Sequence, residues 1–487
     1  MTAVKEPKAR KGVRGRLTRS PDSVMRDADF MKIWAGESVS LVGTQITIFT
    51  LPLVAILTLH ANVFQVGLLN MSRNLPLVVF SLLAGVWLDR MKRRPILIAC
   101  SLGNAVLIGL VPLSSAMGWL SMGLLYAVTI LVGILSVFFD VGVLTYMPSL
   151  VGRRKLPQSN SMIQTSTSLA MVAGPGIAGA LVGVLTAPVT LTADAVSYVC
   201  SAIGLMTIRK REPEPERPAQ QQTIRRSIAE GLRSVYGSPI LRSLLGLSAS
   251  FNFAQSAFIT ILVVYSVRSL GLSPFQLGIV IGATAVGGAI GAALANRVSK
   301  IFGVGPTMLC SLSGATLFPL LFLIPRDNGL FSVALMSAIQ FIYGFGVLIY
   351  NVHNVTLRQV VTPDRLLGRM NASYRLVLLG TQPPGAFLAG VVGQQFGLHT
   401  ALLVAVIVFP FPIVWTVFSP VMRMKEMPAG PEEDVAEIAA SVDDALEPQA
   451  PAEPALVAGA DAQDEPLTPA EDDATRDRVG LKDGKNP

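Results

Sequence analysis

Charge is what this sequence has least of: 14% of its 487 residues are Asp, Glu, Lys or Arg, against 51% that are apolar. A soluble protein dresses its surface with about a quarter of charged residues, so the shortage excludes a soluble globular fold. Cysteine is scarce as well. Cys100, Cys200 and Cys310 all fall inside apolar segments and read as small buried hydrophobes, which excludes a disulfide framework. No cluster of His, Cys and Glu has metal-ligand spacing, so no metal is expected. No Gly-x-x-x-x-Gly-Lys-Ser/Thr loop for ATP occurs, so energy must come from an ion gradient or from the substrate's own gradient. Nothing suggests covalent enzyme chemistry or a cofactor. The basic, polar N-terminus lacks the short apolar core of a cleavable signal, and the first hydrophobic segment is expected to be a mature helix. A net charge of +8 would suggest nucleic acid in a soluble chain. Here the basic residues sit where a membrane protein keeps its cytoplasmic anchors, and nucleic acid is not expected.

What the chain has in plenty is long apolar runs. Twelve segments can cross a hydrocarbon core of about 30 Å: 32–59, 64–88, 96–115, 119–147, 160–186, 188–208, 240–268, 274–298, 305–325, 329–355, 371–396 and 397–420. Tight turns such as His60-Ala61-Asn62 and Ala187-Pro188 join several of them on one side. The other side holds Asp89-Arg90-Met91-Lys92-Arg93-Arg94, then Arg153-Arg154-Lys155, the loop 209–239, and Arg358 to Arg369. About 28 Lys and Arg fall on that side and about two, Arg268 and Arg326, on the other. Both termini are therefore expected in the cytoplasm, with the protein in a bacterial inner membrane.

The chain divides into five parts. Residues 1–29 form a basic arm, expected to be disordered near anionic headgroups, and 30–208 a first six-helix half. Residues 209–239 form a cytoplasmic linker, 240–426 a second six-helix half, and 427–487 an acidic, Pro- and Ala-rich tail expected to be disordered. In the linker, the Pro/Glu-rich stretch 212–222 is expected to be extended. After it, Ile224, Ile228, Leu232 and Val235 recur at helical spacing opposite Arg225, Arg226 and Arg233, a pattern suited to a helix on the membrane surface. The halves are related. Ala99-Cys100-Ser101-Leu102 matches Leu309-Cys310-Ser311-Leu312, with Ala105 matching Ala315. Leu156 and Asn160 match Leu367 and Asn371, and Gly174-Pro175-Gly176 matches Pro383-Pro384-Gly385. The common shift of about 210 residues marks a parallel repeat, an arrangement of transporters with a substrate site near the midplane.

The loop Gly85-Val86-Trp87-Leu88-Asp89-Arg90-Met91-Lys92-Arg93-Arg94 resembles the signature loop of the major facilitator superfamily, Gly-x-Leu-Ala-Asp-Arg-x-Gly-Arg-Arg. Gly85, Asp89, Arg90, Arg93 and Arg94 match, whereas Lys92 replaces the second glycine. Gly85 would permit close helix approach, and Asp89 could pair with an arginine or a helix N-terminus across the seam between halves. Such a pair, made in one conformation and broken in the other, would bias alternating access; the plainer alternative is a positive-inside anchor. The equivalent stretch in the second half, Gly291 to Arg297, has no acid. The fifth span carries Gly174, Pro175 and Gly179 in a run similar to the antiporter motif of this superfamily's exporters, with Ala170 and Ala178 in place of glycines. Simple close packing explains the same residues. Glu230-Gly231-Leu232-Arg233, Ser238-Pro239, Pro363 to Arg369, Asn371 to Arg375 and Pro384-Gly385 look like the bacterial branch that includes the enterobactin exporter and the transmembrane secretion effectors. The resemblance covers residues 29 to about 425. It implies the major facilitator fold and secondary-active export of small molecules, usually coupled to protons.

Ionisable groups inside spans are costly and are functional candidates by default. Asp140 is the deepest acid, with Arg73 as a candidate partner. It either binds a proton in exchange for substrate or an arginine contact, or forms a permanent structural pair. Glu37 either snorkels to headgroups or takes part in coupling. Asp194 reads as structural. Arg375 and the stretch Asn351-Val352-His353-Asn354 are polar where the bilayer is not, and His353 reads as a hydrated, structural imidazole. Gln45, Asn252, Gln255, Gln340 and Gln382 are either cavity-lining hydrogen bonders or helix-packing groups.

These residues lead to a monomeric, proton-driven antiporter that exports a drug-like compound, a siderophore or a secondary metabolite. An importer or uncoupled facilitator of the same fold, and a non-transporting membrane scaffold or sensor, are the alternatives.

Overall fold

The computed structural model describes residues 24–88, 91–210, 212, 224–417, 419, 421 and 424. Asp89 and Arg90, Arg211 and residues 213–223 of the linker, the tail 427–487 and the expected arm up to residue 23 lie outside the described residues.

Twelve spans follow one another. In the first half they are α1 (Ala28–Leu53), α2 (Val63–Leu88), α3 (Arg93–Ala116), α4 (Met122–Val151), α5 (Leu156–Leu185) and α6 (Ala187–Met206). The linker helix α7 (Ile224–Gly237) precedes α8 (Pro239–Arg268), α9 (Pro274–Phe302), α10 (Val304–Leu317), α11 (Leu330–Val361), α12 (Asp364–Gly380), α13 (Gln382–Phe396), α14 (Leu398–Val408) and α15 (Pro412–Val417). Among the described residues there is no strand. α12 and α13 are two pieces of one span, interrupted ahead of Pro383-Pro384, whose first ring removes a backbone donor. α10 tightens into a 3-10 turn over Phe318–Leu323, and α1 continues into a π turn over Val54–Thr58 just past Pro52.

Side-chain caps fix where the spans begin. Asp27 accepts from the backbone N–H groups of Asp29 and Phe30, Ser121 from Leu124, and Ser238 from Leu241, while Ser273 and Gln276 form a reciprocal capping box at α9. The connections α5–α6 and α13–α14 are each a single residue, Thr186 with φ 108° and Gly397 with φ 84°, both with ψ near 160°. These positions lie 211 residues apart, so the backbone repeats the shift read from the side chains. Only the second half supplies the glycine that such a backbone favours.

Two features of the sequence reading change. Cys100 is buried, but Cys200 and Cys310 are exposed on the bundle's outer face, where lipid rather than protein covers an apolar helix. Arg358 lies within α11 rather than in a loop, with its guanidinium 3.9 Å from the centroid of the Tyr374 ring.

Candidate functional site: a central cavity between the halves

The two halves pack through α2 against α13 and α5 against α9. Small residues allow this, and they cluster at the ends of these helices away from the Lys/Arg-rich loops. A methyl on Gly67 would meet Ala386 O at 2.8 Å and the Gly390 Cα at 2.9 Å, and one on Gly278 would run into the Pro175 carbonyl. Gly179 faces Pro274 in the same way. The motif residues Pro175 and Gly179 thus build the seam between halves, whereas Gly174 abuts the Gln45 side chain within the first half. Hydrogen bonds also join the halves, from Arg268 to the Ala61 carbonyl at the far end and, deeper, from Asn70 Nδ2 to Thr260 Oγ1 at 3.1 Å.

Below this seal lies a cavity of about 160 Å³ between α1, α2, α5, α8 and α9. Apolar groups dominate its wall, among them Ile48, Phe49, Pro52, Ile259 and Val263, and the polar ones are Gln45, Asn70, Arg73, Asn74, Ser256 and Thr260. Of the glutamine and asparagine candidates read from the sequence, Gln45 alone lines this cavity. Asn70, Arg73 and Asn74 were legible as a set, since positions i, i+3 and i+4 share one helix face.

Closer to the basic face is a layer of charge. Glu37 lies nine residues into α1, Asp140 eleven residues before the end of α4, and Arg375 eleven residues into α12. At about 1.5 Å per residue this puts all three at similar depth, roughly 14–17 Å from the basic-face ends of their helices. Asp140 and Arg375 are exposed although both lie within spans. Arg375 comes from the half opposite Glu37 and Asp140, so the layer brings both signs of charge to one depth from the two halves. The Glu37 Oε2 atom is buried with no hydrogen-bond partner. No ion pair or hydrogen bond joins Arg73 to Asp140 among the described residues. The Arg73 carbonyl stands beside Gly133 of α4, 3.4 Å from where a Cβ would be, and Gly133 is seven residues before Asp140, about 10 Å along the helix. Asp194 lies elsewhere, fully buried between α1 and α6, accepting from the hydroxyls of Thr47 and Ser197.

At the basic face, Arg93 and Arg94 are engaged inside the first half. Their backbone N–H groups donate to the two Glu212 oxygens at 2.8 and 3.1 Å, and Arg93 pairs with the same carboxylate at 3.6 Å. The Arg94 guanidinium donates to the carbonyls of Leu205 and Met206, closing the end of α6. Glu212 is thus a helix cap for α3 rather than part of a free linker. The residue itself gives no local sign of this, because the helix it caps starts 119 residues earlier. Gly85 does not sit in a tight crossing: a Cβ there would meet nothing within 4 Å. The close approaches of α2 to the other half, at Gly67, are at its far end.

Residues 33–380 match the Major Facilitator Superfamily. The chain belongs to that superfamily. The multidrug efflux pump Tap of Mycolicibacterium fortuitum is 26% identical over 400 residues, covering 80% of this chain and 95% of Tap. The enterobactin exporter EntS of Salmonella choleraesuis (strain SC-B67) is 24% identical over 372 residues, covering 75% of this chain and 86% of EntS. A bacterial homologue of the iron transporter ferroportin shares the fold at 18% identity. Its inward-facing form superposes with a TM-score of 0.62, covering 81% of this chain and 99% of that one, and its outward-facing form with 0.51, covering 80% and 98%. This superfamily member is a multi-pass membrane transporter and not an enzyme.

The polar groups of the transporter's second half are mostly spent on one another. Ser248 is hydrogen-bonded to Tyr374 at 2.8 Å and to Tyr350 at 3.1 Å, and receives the Asn354 amide at 2.9 Å. Gln255 donates to the Tyr343 hydroxyl, Gln382 to Asn252, and Asn252 to the Ser248 carbonyl. Gln340 is buried with its Oε1 unpartnered. His353 is buried rather than hydrated, its Nε2 3.3 Å from the Ala295 carbonyl.

Proposed function

We propose that this transporter exports small organic molecules by alternating access, in exchange for protons, with its Lys/Arg-rich face in the cytoplasm. The observation that carries the reading is the charge layer: an exposed carboxylate in mid-span, Asp140, shares its depth with an exposed arginine of the opposite half, Arg375, and with Glu37. A proton on Asp140 removes its attraction for Arg375, so proton binding changes what holds the halves together on that side. Because the close contacts between halves lie at the other end, this conformation reads as open toward the cytoplasm. The positive-inside distribution of Lys and Arg supports the orientation. The names of the relatives, an efflux pump and an exporter, support the direction. Gly85, Asp89 and Arg90 belong to the opposite state, in which the basic-face ends of α2 and the second half would meet and the α5–α9 seal would part.

The test is transport in inverted vesicles carrying the full chain, with an imposed pH gradient and a fluorescent efflux substrate. Acidification of the lumen should drive uptake, and substrate addition should release lumenal protons. Asp140→Asn should reduce gradient-driven uptake to that of vesicles lacking the protein while substrate binding persists. Wild-type transport by that variant, or transport indifferent to the gradient, would overturn the coupling.

A further inference from the structure

The central cavity holds one cation and no acid. Arg73 lies in α2 ten residues from its far end, about 15 Å into the membrane and near the midplane. It lines the cavity together with Asn70 and Asn74, while the acids Glu37 and Asp140 belong to the layer nearer the basic face. No hydrogen bond or ion pair holds the Arg73 guanidinium among the described residues, and no acid is among the residues that line the cavity with it. An arginine in a membrane interior is costly and is found with a counter-charge or beside water. Arg73 therefore presents a planar array of donors that no group among the described residues receives.

We infer that Arg73 is the binding group for an acidic function of the substrate, and that the cavity selects amphipathic organic anions, with a carboxylate seated on Arg73 and an aromatic or aliphatic body against Ile48, Phe49, Ile259 and Val263. Guanidinium and carboxylate match in a two-pronged geometry that a neutral amide cannot reproduce and an amine opposes. Asn70, one turn before Arg73, and Asn74, the residue after it, line the same cavity and supply further polar partners for the head group. The apolar wall takes up the body without demanding a particular shape. The same arrangement disfavours cations, because the acids that would receive them lie about 10 Å away by helix rise. The inference rests on the export reading only for the direction of movement; the choice of substrate charge stands on the cavity.

Binding by purified full chain in detergent provides the test, with three probes on one scaffold: 1-naphthaleneacetate, its amide, and 1-naphthalenemethylamine. The carboxylate should bind at least about tenfold tighter than the amide, the scale of one charged hydrogen-bonded contact. Arg73→Gln should abolish that preference, bringing the carboxylate's affinity down to that of the amide or below, and Arg73→Lys should keep part of it. Unchanged melting temperatures in the two variants would establish that both remain folded. Equal affinity for carboxylate and amide, tighter binding of the amine, no binding of any probe, or a preference that survives Arg73→Gln would each overturn the inference. Transport separates the two readings. Efflux of all three probes alike would keep the exporter and overturn the anion site. Selective binding without gradient-driven movement would keep the anion site and overturn the exporter.

Discussion

The two halves repeat one backbone and differ in chemistry. Spans of the first half contain Glu37, Asp140 and Asp194, whereas from residue 239 to 417 the acids are Asp327 and Asp364, both at helix ends. In place of acids the second half has a neutral network around Ser248, Tyr350, Asn354 and Tyr374, with Arg358 stacked on its edge and Arg375 exposed in mid-span. One half is thus equipped to change charge, and the other to stay rigid while offering a fixed cation. A transporter needs such a division, because a proton can bias a rocking motion only if it alters an interaction between halves and not within one.

The comparison can be broken from either side. The largest effect is expected at the charge layer, where Arg375→Gln should remove the proton dependence of transport much as Asp140→Asn does. The double variant should be no worse than either single one, measured as gradient-driven uptake in inverted vesicles. Next comes the seam: Gly278→Leu puts a side chain where the Pro175 carbonyl stands. It should destabilise this closed contact by about 1–3 kcal/mol. Cysteine accessibility at Gly67 and Ala386, probed from the far side, would report the shift toward the other state. Tyr374→Phe removes a hydroxyl bonded to Ser248 and to the Leu244 carbonyl. It should lower thermal stability by about 1–2 kcal/mol without changing the pH dependence, if the second half is structural as the comparison holds. Smallest is Thr186→Gly, which gives the first half the residue that Gly397 provides in the second; relief of a left-handed threonine should raise stability by about 1 kcal/mol in a melting experiment.

Much of this architecture was legible in the sequence. Span number, the parallel repeat and the family came from long apolar runs, a common shift and the Gly85–Arg94 loop, all of them local signals. Less legible was anything that depends on rotation of one helix against another. Asp140 could be recognised as a deep acid, but its counter-cation could not, since Arg73 and Arg375 are equally polar interruptions of apolar helices. Only helix register separates them: Arg73 is level with Gly133, and Arg375 with Asp140 itself. The same limit hid Asn252, Gln255 and Gln382, whose roles are set by which neighbour they meet. Glu212 lay further from view, because a carboxylate in a Pro/Glu-rich stretch carries no mark of the helix it will cap.

That cap has a mechanical consequence. Glu212 fastens the chain to α3, and α7 fastens it again to the second half, where Gly231 lies under the Arg369 backbone and Glu230 pairs with the Arg369 guanidinium. Only residues 213–223 lie between these anchors, a contour of at most about 40 Å when drawn taut. The two halves are therefore tied on the basic face by a short tether moored at both ends, and its moorings, not its length, decide which helices feel a pull when the tether is shortened.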